Sequence, residues 1–237
     1  MKISLGRIGG VGIVFASIMS YAQAADMAVK APPAAPPAPA TWTGCYVGLE
    51  GGGAWSTLTA TGQAPSPALP AATIHANGAL LGGTIGCQTQ SQQWVFGVED
   101  DSSWLNVNGS GNAVPPFAPA VGSGSQHWLD TLRGRIGLAN GNWLFFATGG
   151  GAFTNIKSTD TIAAGPATVA FDATGWTVGG GVELKLAPQW SVKAEYLYID
   201  FGTNNTNFKA IAPAHANTNS GLTENLVRIG LNYRFWQ

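Results

Sequence analysis

Alternation with a period of two narrows the possible folds of this chain most, and the segment from Val227 to Phe235 shows it without interruption. Val227, Ile229, Leu231, Tyr233 and Phe235 alternate with Arg228, Gly230, Asn232 and Arg234. Residues two apart share one face of a strand, so one face here is apolar and aromatic while the other carries two arginines. A soluble sandwich buries the first face and hydrates the second. A membrane barrel does the reverse, with the apolar face in lipid and the arginines in a polar lumen.

Eight stretches alternate in this way, at roughly 44–55, 77–88, 93–105, 127–139, 143–154, 171–186, 190–202 and 223–235. The connections near 56–76, 106–126, 155–170 and 203–222 are long and rich in Ala, Pro, Ser, Asn and Gly. Those at 89–92, 140–142 and 187–189 are short. Short turns at one end and long loops at the other mark an up-and-down outer-membrane barrel, whereas a Greek-key sandwich has no reason to alternate so. Only 10% of residues are charged, against about 25% in soluble domains. After residue 25 no apolar run reaches the ~18 residues of a membrane helix. A membrane chain without helical spans must close its sheet, because lipid cannot satisfy open edges. The expected fold is all-β: an eight-stranded antiparallel up-and-down transmembrane β-barrel. A formal net charge of −1 gives no electrostatic case for nucleic acid.

The N-terminus indicates the compartment. Lys2 and Arg7 precede an apolar stretch from Ile8 to Tyr21, and Ala22, Gln23 and Ala24 form a small-residue cleavage site. Residues 1–24 thus read as a signal peptide. Residues 25–42, dominated by Pro and Ala, read as an extended periplasmic tether, and 43–237 as the barrel. A docking segment for another protein or the cell wall is the alternative for the tether.

Tryptophan placement separates barrel from sandwich. With both termini periplasmic, Trp42, Trp94, Trp143, Trp190 and Trp236 lie at periplasmic strand ends. Trp55, Trp104, Trp128 and, less closely, Trp176 lie toward extracellular ends. Tryptophan concentrates at the two membrane interfaces of a barrel, where its amphipathic ring is most stable. All nine are therefore expected in interface girdles.

The opposite parity collects the charges Glu50, Glu99, Asp101, Arg133, Arg135, Glu183, Lys185, Lys193, Glu195, Arg228 and Arg234. In a narrow lumen each needs a partner. If Leu186 pairs with Trp190, Glu183 falls opposite Lys193; if Leu105 pairs with His127, Glu99 falls opposite Arg133. Closure of the last strand on the first brings Arg228 near Glu50. Leu197 and Ile199 also point inward, which requires either a bulge or an apolar patch in the lumen. Asp100 and Asp130 fall on the lipid face toward the extracellular rim.

Few residues suggest chemistry. The glycine runs Gly51–Gly53, Gly149–Gly151 and Gly179–Gly181 lack the lysine and helix of a phosphate loop, and read as relief of crowding within strands. His75, His127 and His215 lie at or beyond the extracellular rim, near Ser123, Ser125 and Ser220, with no nucleophile motif and no metal-ligand spacing. No cofactor is expected. If Trp55 pairs with Asn77, Cys45 lies opposite Cys87, and a cross-strand disulfide in the oxidising periplasm follows. The alternative is two free lipid-facing thiols.

The segments WTGCYVGLEGGGAW, GRIGLANGNWLFFATGGGAF, GWTVGGGVELKLAPQWSVKAEYLYIDFG and VRIGLNYRF resemble the small outer-membrane surface-antigen family of alphaproteobacteria, the immunogenic or porin-family proteins. The resemblance covers about 42–235. It implies an eight-stranded barrel with roles in envelope integrity, surface exposure and host recognition. It also implies that the barrel-assembly machinery reads the last strand. Two departures stand out: Trp236 and Gln237 follow the usual terminal aromatic, and Cys45 replaces a usual aromatic.

The expected function is structural, without catalysis: envelope integrity and surface presentation. A narrow pore for ions or very small solutes is the alternative, followed by a lipid-modifying enzyme or an adhesin. The expected partners are outer-membrane lipid and lipopolysaccharide, the assembly machinery, and the cell wall or a host surface.

Overall fold

The computed structural model describes residues 41–62, 72–112, 121–162, 165–206 and 218–236. The expected signal peptide and nearly all of the tether lie outside the described residues, as does His215. Eight strands follow one another: β1 (Gly44–Gly62), β2 (Ala72–Ser91), β3 (Trp94–Asn112), β4 (Val121–Asn140), β5 (Trp143–Ile162), β6 (Gly165–Lys185), β7 (Trp190–Thr206) and β8 (Thr218–Trp236). Each pairs antiparallel with the next, and β8 closes on β1 to complete the barrel.

The wall is inverted relative to a soluble protein. Leu49, Leu81 and Ile229 are 73%, 66% and 62% exposed on the outer face, while Glu50, Glu183 and Lys193 are at most 2% exposed inside. In β8, Val227, Ile229, Leu231 and Phe235 face outward and Arg228 and Arg234 are buried in the lumen. The β8 alternation is thus lipid on one side and lumen on the other.

The hairpin registers follow the residue arithmetic. Trp55 pairs with Asn77, and Cys45 with Cys87. Glu99 pairs with Arg133, although the ladder becomes irregular just above, between Trp104 and Val107. Glu183 pairs with Lys193. At the periplasmic side Gln92 and Gly141 take up positive φ of 55° and 59° to turn the chain. Cys45 and Cys87 form a disulfide, their Cα atoms 4.0 Å apart, that ties β1 to β2. Alkylation of the unreduced protein in freshly isolated membranes is expected to label neither cysteine. Two labels, read by mass spectrometry, would count against the bridge and against this register.

The extracellular halves differ from the sequence expectation. The stretch 155–170 does not form a long loop: β5 and β6 pair up to Ile162 and Gly165. Likewise β1 continues to Gly62, β3 to Asn112, β4 begins at Val121 and β7 continues to Thr206. Beyond the girdle the alternation reverses: Ile74, Val107, Ile156 and Leu222 are buried in the lumen while His75, Asn106, Asn108 and Lys157 are exposed outside, and the ladder hydrogen bonds persist.

Two inward glycines mark where adjacent strands crowd the wall. A Cβ on Gly52 would stand 2.0 Å from the Val227 carbonyl oxygen, and one on Gly150 2.0 Å from that of Leu132. No side chain fits at either, which accounts for the central glycine of two of the runs without any ligand.

Candidate functional site

The lumen is the place where the sequence concentrates its charges, and it is filled in three levels. At the periplasmic mouth Trp42 is fully buried against Val95 and Leu144. Its ring lies beneath Lys185, whose Nζ is 4.8 Å from the ring centre, and beside the Arg234 guanidinium at 5.4 Å. The Thr41 carbonyl accepts from Arg234 at 3.0 Å and from Lys185. The backbone N–H of Trp42 donates to Gln90 Oε1 at 2.8 Å. Trp42 therefore does not belong to the interface girdle. Its even parity matches that of Tyr46 and Glu50, and the lumen shelters its large ring while the two cations sit over its π face. The other eight tryptophans are exposed on the outer wall. Trp236 reaches that wall through a register irregularity between Cys45 and Tyr46 of β1, which leaves Phe235 and Trp236 both outward.

The middle level is an ion network. Arg133 donates to Glu195 Oε1 and Glu99 Oε1, each at 2.6 Å, and to Asp101. Arg228 meets Glu50 Oε1 at 2.5 Å, Glu195 Oε2 at 2.8 Å and Asp101 Oδ2 at 3.0 Å. Lys193 Nζ lies 2.9 Å from Glu99 Oε1. Tyr46, not singled out from sequence, donates to Glu99 Oε2 at 2.6 Å and accepts from Arg135 at 3.1 Å. Arg228 and Glu50 meet at barrel closure as their parity and strand order imply.

One pairing differs. Glu183 and Lys193 are register neighbours, but their ionic partners lie elsewhere. Glu183 accepts from Arg135, from Ser191 Oγ at 2.5 Å and from Asn232 Nδ2 at 3.2 Å. The long Arg135 guanidinium reaches the carboxylate from β4 through one terminal nitrogen and donates through the other to Tyr46, while the Lys193 ammonium lies against Glu99. Lys185 and Arg234 also stand apart from the network: among the described residues neither forms a carboxylate pair.

Above the ions lies an apolar level that includes Leu105, Leu129, Leu197, Ile199, Phe201 and Leu226. Leu197 and Ile199 are thus part of an apolar lumen patch, and the β7–β8 irregularity lies beyond them, between Asp200 and Thr203. Glu224 is embedded in this level, fully buried. It accepts from Ser56 Oγ at 2.9 Å and Gln126 Nε2 at 3.3 Å, and no cation among the described residues pairs with it. Its even parity in β8, shared with Arg228, was the signal that sequence reading passed over.

Among the described residues, those with catalytic potential do not assemble. His75 Nδ1 lies 3.4 Å from Thr57 Oγ1 on the outer wall. His127 is exposed at the β4 irregularity. Ser123 and Ser125 line a polar groove on the outside of the barrel with His75 and Lys157. Among the described residues no cluster of His, Cys, Asp and Glu has the arrangement of a metal site.

The chain matches the outer membrane protein beta-barrel domain over residues 21–235. It is 29% identical to the 31 kDa outer-membrane immunogenic protein of Brucella melitensis over 241 residues, 94% of this chain and 99% of that one. It resembles the solved structure of OprG from Pseudomonas aeruginosa with a TM-score of 0.55 at 13% identity, over 81% of this chain and 97% of OprG. It also resembles the outer membrane protease OmpT of Escherichia coli, with a TM-score of 0.52 at 7% identity, over 81% of this chain and 97% of OmpT. What these two share with this chain is the fold.

Proposed function

The chain belongs to the outer-membrane protein β-barrel family, and on that premise we propose that it is a structural barrel, supporting envelope integrity and surface presentation without conducting solutes. The observation that carries this reading is the filled lumen. Trp42, the Arg133–Arg228 ion network and the Leu105–Leu226 apolar level occupy successive depths, each built from side chains buried to a few percent. An eight-stranded barrel has an interior about as wide as its own side chains, so filling at any one level suffices to block bulk flow.

The non-catalytic part of the reading is supported by how the rim residues are dispersed. A nucleophile needs a base within about 3 Å and a third group that orients the base. His75 and His127 face outward on different strands, and Glu224 is held by Ser56 and Gln126 inside the wall.

Planar-bilayer recordings of the purified, refolded barrel test the proposal. The expected result is no unitary conductance step above baseline across physiological salt. Reproducible, ion-selective steps from protein with native heat-modifiable mobility would replace the structural reading with the narrow pore.

A further inference from the structure

On the outer wall above the extracellular girdle, β2 to β5 form a concave groove of about 660 Å³. The strand registers set Asn77, Asn108, Ser125 and Lys157 side by side across all four strands. The lining is amides, hydroxyls, His75 and one lysine, with no carboxylate among the described residues. The concavity has a local cause. At one height the ladders of β3 with β4 and of β4 with β5 both lose register, between Trp104 and Val107 and between Gln126 and Leu129. Such irregularities bend and twist the strands that carry them.

Position fixes what the groove can meet. Asn108 stands four residues beyond the girdle residue Trp104, and Ser110 six. At ~3.3 Å per residue and a tilt near ~45°, the groove floor lies ~9–14 Å above the girdle. Asn108, Ser110 and Lys157 have outward parity, so the groove opens sideways, along the membrane plane. The neighbour at that height and on that side is the sugar layer of the outer leaflet. Lys157 is exposed, and among the described residues no carboxylate pairs with it. Asp172, on the adjoining strand, is taken up by Asn155 Nδ2 at 2.8 Å. Asn108 donates its amide to Asn106 Oδ1 at 2.7 Å, which leaves its carbonyl oxygen as an acceptor.

We propose that this groove binds the anionic sugar headgroup of a neighbouring lipopolysaccharide molecule, with Lys157 on a phosphate or carboxylate and Asn77, Asn108 and Ser125 on sugar hydroxyls. Side-chain amides and hydroxyls both donate and accept, as a polyol requires, and the ammonium supplies the charge-assisted contact that discriminates an anionic sugar from a neutral one. The inference deepens the structural reading: a barrel that grips the leaflet around it contributes to envelope integrity. It rests on that reading only for the barrel's orientation in the outer membrane.

The test uses the full-length protein in phosphatidylcholine nanodiscs, with the deacylated, phosphorylated core oligosaccharide of a rough lipopolysaccharide as the probe. Calorimetry is expected to give saturable binding, weakened about tenfold by Lys157→Glu. Enzymatic dephosphorylation of the probe should cause a similar loss where Lys157 holds a phosphate, and reduction of its sugar carboxylates where it holds a carboxylate. Loss with neither treatment would overturn the anionic contact. Asn108→Trp, which fills the groove, should abolish binding. Unchanged affinity in Lys157→Glu protein of native heat-modifiable mobility would overturn the proposal. So would heparin displacing the oligosaccharide at lower concentration than the oligosaccharide itself, which would assign the groove to soluble polyanions. Conductance of the same purified proteins in planar bilayers reports separately on the structural reading, which survives if only the groove fails.

Discussion

Replacing Arg133 with methionine is expected to destabilise the folded barrel by about 3–5 kcal/mol, the cost of leaving buried carboxylates without their counter-charge. Arg133 is bonded at once to Glu99, Asp101 and Glu195. Methionine fills a similar volume and removes every one of these contacts. Arg133→Lys retains the charge but not the fork, so it should lose less than methionine and still fall short of the native barrel. The double variant Arg133→Met with Glu195→Gln should recover part of the loss, because one stranded charge is gone. Reversible urea unfolding in lipid vesicles, followed by tryptophan fluorescence, measures all three. Strictly additive single and double effects would show that these groups do not interact. The same cycle run on Glu183 and Lys193 should be close to additive, whereas Glu183 with Arg135 should couple strongly, since the arginine holds that carboxylate.

That contrast marks how far the sequence could be read. Alternation reports which side of a strand a residue occupies, and hairpin arithmetic reports which residue it faces. Both are backbone properties with a fixed spacing, so the Cys45–Cys87 and Glu183–Lys193 registers follow from counting. Which cation a carboxylate chooses depends on side-chain reach across the lumen. Arg135 can cross it and Lys193 finds Glu99 nearer, and neither fact is written in one strand's pattern. The extracellular halves of the strands were hidden for a different reason. Along 155–170 small and polar residues dominate and Ile156 turns inward among them, the reverse of the membrane pattern, so a ladder there looks like a loop. The outer groove lies in this same region, built from residues that composition alone assigns to connections. Glu224 and Trp42 were legible but missed: each shares the parity of the lumen residues in its strand or just before it.

Trp42→Ala is expected to cost about 3–5 kcal/mol, the range for removing a fully buried large aromatic side chain. The loss has two components. The cavity left beside Val95 and Leu144 forfeits apolar contacts, and Lys185 and Arg234 lose the ring that faces them. These cations have no carboxylate pair among the described residues, so the Thr41 carbonyl would be their main remaining anchor. Trp42→Phe keeps an aromatic face and should lose roughly half as much, because phenylalanine is a smaller ring and a weaker cation–π partner. Conductance gives the sharper readout. With the ion network and the apolar level intact above it, removal of the periplasmic ring alone should leave the barrel closed to ions. Unitary conductance steps in Trp42→Ala protein, absent from the native barrel, would mean that the upper levels do not seal. Trp42 would then be the seal, anchored by its backbone N–H on Gln90 and by the cations that meet its ring and the Thr41 carbonyl.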